Sequence, residues 1–167
     1  MELILHAINV NSVELALDKA RQYRSLLEPE MAESICLDIL NINQDNQQAL
    51  VIYILALSDQ LHHPDKQSQI KVIQSVIEKL DSEYQRHYYT GLLNERQARF
   101  LLSQPMSRSF AYDYFIEAFK HYELAKPLGP ENNDEAILRS NSCIRTIQKE
   151  KLQARQDNGD ILTDMES

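Results

Sequence analysis

The chain has 167 residues, a formal charge of -8, 43% hydrophobic and 25% charged residues, and only three glycines and five prolines. That length supports one ordinary domain with its own core, and so few chain breakers argue against a turn-rich sheet fold and for long helices. The acidic balance, with a pI near 5.1, argues against nucleic acid as the main partner, because phosphate binding needs a basic face.

The segment Met1-Glu2-Leu3-Ile4-Leu5 lacks a basic start and a long apolar stretch, so it does not read as a signal peptide. Leu3-Ile4-Leu5 reads as extended. Asn11 and Ser12 are expected to cap a first helix that has Glu14 in its first turn and reaches about Leu27. Pro29 suits the start of a second helix, with Met31, Ala32, Ile35, Cys36, Ile39 and Leu40 as its apolar stripe. After the turn Asn43–Asn46, a third helix from Gln47 to Leu61 is apolar nearly all round, which places it between other helices. His62-His63-Pro64-Asp65 breaks it, and Gln69 to Leu80 makes a fourth helix. Asp81 and Ser82 cap a long fifth helix over about Glu83 to Ser103. The sixth runs from about Ser109 to Ala125, and Asn133-Asp134 caps a seventh that fades near Lys151. Residues 1–150 read as one helical domain. Residues 151–167 read as a tail, acidic and mobile from Asp157 onward, where four acids meet no base.

The seven expected helices pair as three antiparallel hairpins and a closing helix. In the sixth, a small residue (Ala118), an aromatic (Tyr122), a second small residue (Ala125) and Pro130 follow one another at fixed intervals. Small side chains let two helices approach, the aromatic fills the adjoining gap, and proline ends the helix for want of an N–H. With Ala20, Tyr23 and Ala32 in the first hairpin and Gly91 in the third, this pattern resembles the tetratricopeptide repeat (TPR) family. Cys36 stands where that family has an aromatic, and the second hairpin keeps only length and apolarity. The resemblance implies an all-α, TPR-like right-handed superhelix. An irregular helical bundle is the other reading of the same series.

The resemblance also implies a function: a cytoplasmic adaptor or chaperone, with no cofactor and no catalysis, holding a protein or peptide partner in a concave groove. In that family the first helix of each hairpin lines the groove. The corresponding residues here are Leu17, Arg21 and Arg24; Val51, Leu55 and Ser58; Tyr88, Leu92, Glu95, Arg96 and Arg99; and Asn141 with Arg145 on the closing helix. Arg21, Arg24, Leu55, Tyr88, Leu92, Arg96, Asn141 and Arg145 are the expected partner contacts. Arginines around an apolar middle suit a peptide with apolar side chains and carboxylates, although the same arginines also read as a solvated face without a ligand. On this expectation, Glu in place of Arg21 and Arg24 abolishes partner binding without lowering the melting temperature.

Other chemistry is thinly represented. No phosphate loop, nucleophile elbow or CxxC is present. Asp59, His62, His63 and Asp65 lie close together in sequence, but no HExxH accompanies them, and no metal is expected. Glu83 with His87, and Glu117 with His121, read as ordinary pairs on a helix surface. Cys36 and Cys143 read as small buried thiols in a reducing compartment, with a disulfide or a reactive thiol as the alternative. The tyrosines between residues 84 and 122 divide between core and binding surface. The longest apolar run, Ala49 to Leu57, is far too short to span a membrane. A helical-bundle enzyme or metal-binding protein, and a structural subunit of a homo-oligomer, are the competing functional classes.

Overall fold

The computed structural model describes residues 1–156. They contain seven α-helices and no strand: α1 Val13–Ser25, α2 Pro29–Ile42, α3 Gln47–Asp59, α4 Gln69–Ile77, α5 Glu83–Ser103, α6 Ala111–Ala125 and α7 Glu135–Glu150. The acidic segment 157–167 lies outside the described residues. None of the described helices is long and apolar enough to cross a membrane.

Local chemistry explains most of the boundaries. The Asn46 side chain accepts the Ala49 N–H and starts α3, and Ser82 accepts the Gln85 N–H and starts α5. Pro29 occupies the first turn of α2, where its missing N–H costs nothing. The first helix differs from the sequence expectation. Asn9 accepts the Asn11 N–H and opens a 3₁₀ turn over Val10–Ser12, so Ser12 makes no side-chain cap. Leu3-Ile4-Leu5 has no regular structure, and all three side chains are exposed. Lys151 adopts a left-handed backbone that ends α7, with the Leu152 N–H on the Ile147 carbonyl at 3.0 Å. This turn brings Leu152 back onto the core, and Arg155 lies over the Phe110 ring with its charge near Asp113.

The core is three apolar clusters in series. Leu17, Ala20, Ala32, Cys36, Ile39, Ala49, Ile52 and Ala56 join α1, α2 and α3. Leu50, Ile54, Leu57, Ile73, Val76, Ile77 and Leu93 join α3, α4 and α5. Tyr88, Ala98, Phe115, Ala118, Tyr122, Ala125, Ala136 and Cys143 join α5, α6 and α7. This arrangement is why α3 must be apolar on every side: Ala49, Ile52 and Ala56 face one cluster while Leu50, Ile54 and Leu57 face the next. α5 has the same double duty. Consecutive helices pack against each other, and α1 also touches α3 as α3 touches α5. Each fully buried Leu or Ile contributes roughly 1.5–3 kcal/mol of transfer free energy, so the two shared helices carry much of the cohesion.

The two cysteines are fully buried in different clusters and are not bonded to each other. Burial pushes each thiol up to about 12, against the partial opposing effect of nearby arginines. Thiolate is the reactive form, so folded protein is expected to resist iodoacetamide at neutral pH and to take up label at both cysteines only in denaturant. Rapid labelling of folded protein would contradict this. In the unfolded chain a thiol releases its proton at roughly pH 8.5. The stabilising contribution of the two protonated thiols is therefore complete below that pH and lost as pH climbs toward 12. Urea unfolding at increasing alkaline pH should show that decline.

Candidate functional site

The first helices of the hairpins, α1, α3 and α5, meet along one face. A cavity of about 320 Å³ opens there, lined by Arg21 and Arg24 of α1, Gln47, Gln48, Val51, Ile52 and Leu55 of α3, and Gln85 of α5. Its floor is aliphatic and its rim is basic and amide. A smaller cavity of about 170 Å³ lies near the C-terminal ends of α3 and α5, between Ser58, Asp59, His62, Arg96, Arg99 and Phe100.

One carboxylate links the two cavities. Asp59 accepts the Arg24 Nε at 2.7 Å and the Arg24 Nη2 at 3.2 Å, a two-pronged pair between α1 and α3. The Arg96 Nη2 reaches the same carboxylate at 3.4 Å from α5. Asp59 therefore serves two guanidiniums, and the Arg96 Nε is buried without a partner. Arg21 is exposed, donates to Gln48 at 2.7 Å and pairs at 3.0 Å with Asp18, which is itself mostly exposed. Such an exposed pair is weak. The face thus carries surplus positive charge on a molecule whose overall charge is -8.

The expected contact residues divide into three groups. Arg21, Arg24, Leu55 and Arg96 come together on this face. Tyr88 and Leu92 are buried in the core, as are Leu17, Ser58 and Glu95. They pack among the helices behind the groove, although Ser58 lines the smaller cavity and Tyr88 lines a surface cavity beside Glu135, Leu138 and Arg139. On α7, Asn141 is half-buried and Arg145 is exposed. The expectation that Arg24 can be reversed in charge at no cost to stability is corrected here, because Glu at that position would face Asp59 directly. Gln48 was missed by the sequence reading. Its signal was the helical spacing Gln48, Val51, Leu55, which puts an amide at the edge of the aliphatic floor.

Behind the face lies a buried polar cluster. Glu95 is 1% exposed. It accepts the Tyr122 hydroxyl at 2.7 Å and Arg99 through two nitrogens at 2.8 and 3.0 Å, with the Arg139 Nη1 at 3.4 Å. Arg99 also donates to Ser142 and Thr146 of α7. Burial first, and the Glu95 charge second, hold the Tyr122 hydroxyl far above its ordinary range, so it stays a donor. The cluster ties α5, α6 and α7 together and adds polar contacts to the apolar seat that Ala136 and Cys143 give α7. Arg139, on α7, was also missed by the sequence reading.

The segment after α3 does not gather metal ligands. Asp59 spends its oxygens on arginines, and the His62 Nδ1 lies 2.9 Å from the Asp59 carbonyl. Among the described residues no three His, Cys, Asp or Glu side chains converge as a metal site. The chain matches no protein-family model, no curated protein and no solved structure.

Proposed function

We propose that this chain is a TPR-like adaptor or chaperone of the cytoplasm that holds a protein or peptide partner against the face formed by α1, α3 and α5. The observation that carries the reading is the groove itself: Val51, Ile52 and Leu55 as an aliphatic floor, with Arg21, Arg24 and the Gln48 amide at its edge. Apolar side chains of the partner would supply affinity, and its carboxylates would set register against the guanidiniums. The repeat reading is supported by the serial clusters, each pair sharing one first helix, and by contacts between successive first helices. A right-handed superhelix of three hairpins closed by α7 is the architecture we propose for that series.

The test is an Arg21→Glu/Leu55→Glu variant compared with wild type in capture from native-host lysate. Arg24 stays intact, because its removal would strip Asp59 of its bidentate partner and confound binding with stability. The expected result is a protein retained by wild type, lost from the variant and then confirmed with purified components, while the melting temperature of the variant stays unchanged. A partner that binds both equally would overturn the groove.

One observation favours a second reading, self-association. Leu3, Ile4, Leu5, Val10 and Leu15 are all exposed at the start of the chain. A mass that rises with concentration in light scattering, and falls back on Leu15→Glu, would select it.

A further inference from the structure

Four guanidiniums share two carboxylates along α1, α3, α5 and α7: Arg24 and Arg96 on Asp59, and Arg99 and Arg139 on Glu95. Arg24 and Arg99 each donate through two nitrogens. Arg96 makes one contact, at 3.4 Å, and its Nε is buried without a partner. We propose that the smaller cavity, between the C-terminal ends of α3 and α5, is a binding site for the dianionic phosphoryl group of a phosphate monoester, with Arg96 as its anchor.

Charge selects the ligand class. Four guanidiniums against two carboxylates leave two positive charges over. A phosphoryl group carries about -1.5 to -2 at neutral pH, whereas a carboxylate carries one charge. Both Asp59 oxygens already accept guanidinium N–H groups, so this carboxylate offers little repulsion to an incoming anion. Arg96 is the free hand. A guanidinium has five N–H donors, and Arg96 commits one of them at the long end of the hydrogen-bond range. Its side chain is 33% exposed and lines the cavity, so an anion reaches it from solvent without breaking a strong pair.

The surroundings fit as well. Helix C-termini carry about half a negative charge, which opposes an anion. Here the terminal carbonyls already have donors: Ser58 takes the Leu61 N–H, Asp59 takes His62 Nδ1, and Phe100 takes the Ser103 hydroxyl. The full guanidinium charges outweigh what remains. Leu61 and Phe100 give the cavity apolar walls, beside which a charge pair is stronger than in open water. Its volume of about 170 Å³ falls below the roughly 300–1,000 Å³ of sites that enclose a whole ligand. It suits one small charged group with the rest of the molecule outside.

The probe is inorganic phosphate, titrated by calorimetry at constant ionic strength into wild type, Arg96→Met and Arg21→Met, with acetate as the comparison anion. Arg96→Met is expected to fold, because Arg24 keeps its two-pronged hold on Asp59 and the unpartnered Nε leaves with the side chain. The expected result is one saturable phosphate per chain in wild type and Arg21→Met, binding at least tenfold weaker in Arg96→Met, and acetate weaker than phosphate. Phosphate added to wild type should shift backbone amides centred on residues 58–62 and 96–103. That map decides the matter should Arg96→Met fail to fold, since shifts centred elsewhere overturn the site. It is also overturned by absence of saturable phosphate in wild type, by full affinity in Arg96→Met, or by acetate binding as tightly as phosphate. A peptide with phosphoserine between two leucines separates the sources. Tighter binding than inorganic phosphate assigns the group to a phosphorylated partner, and equal or weaker binding assigns it to a small phosphate ester. The Arg21→Glu/Leu55→Glu variant should keep phosphate whether or not it loses a protein partner, so this site and the groove fail separately.

Discussion

Replacing both Arg99 and Arg139 with Met is expected to destabilise the fold by about 3–5 kcal/mol, the range found when a buried charge loses its partners. Glu95 is almost completely buried, and the double variant leaves it only the Tyr122 hydroxyl. The two arginines are each about a third exposed, at 36% and 37%. Burial weighs on Arg139 as well, but both guanidiniums reach solvent while Glu95 does not, so the loss falls mainly on the carboxylate. Urea unfolding should show a lower midpoint at unchanged slope. Adding Glu95→Leu and Tyr122→Phe to the double variant, with Tyr88→Phe because its hydroxyl also pairs with Arg139, removes the orphaned groups of the cluster, so most of the stability should return, as when a buried ionic cluster gives way to apolar side chains. A double variant within about 1 kcal/mol of wild type, the range of ordinary surface changes, would show that water reaches Glu95.

Gly91→Ala is expected to cost about 1–3 kcal/mol despite the better helix propensity of alanine. A methyl at this position would lie 2.7 and 2.8 Å from two ring carbons of Tyr122. The ring cannot retreat. It is fully buried, and its hydroxyl is tied to Glu95 one helical turn along α5. Either the helices separate or the hydrogen bond breaks. The decisive comparison is the same change in a Tyr122→Ala background, where the clash is gone. There Gly91→Ala should be neutral or stabilising by up to about 1 kcal/mol from propensity alone. A penalty of equal size in both backgrounds would place its cause elsewhere than the Gly91–Tyr122 contact. The two predictions converge on Tyr122, which couples the closest approach of α5 and α6 to the polar cluster that ties α7 to them.

Much of the frame was legible in the residues. The helix order follows from caps and breakers that act within one turn: Pro29, Asn46, Ser82 and the stretch around Pro130. The all-round apolarity of the Gln47 helix announced a position between two cores. Ala118 and Tyr122 announced a close helix crossing. Ser12 stands at the N-cap position of α1 as expected but makes no side-chain bond there, because a 3₁₀ turn capped by Asn9 through the Asn11 N–H precedes the helix. The site was legible only in part. Arg21, Arg24, Leu55 and Arg96 share a face, as periodicity allowed. Tyr88 and Leu92 lie at equally plausible positions on α5, but that helix is covered on two sides, so helical spacing alone does not tell which stripe is left open.

The sequence by itself determined the all-helical class, the helix order and the small and aromatic residues at the closest crossing, because each rests on interactions within a few residues. Tertiary structure alone decided which charged groups remain available to a partner. Arg24 is held by Asp59, 35 residues away. Glu95 is sealed beneath Tyr122, 27 residues away, and His87 meets His121 across 34. Those pairings depend on where helices cross and at what rotation. Helical periodicity defines the candidate faces, and only packing selects which of them meet.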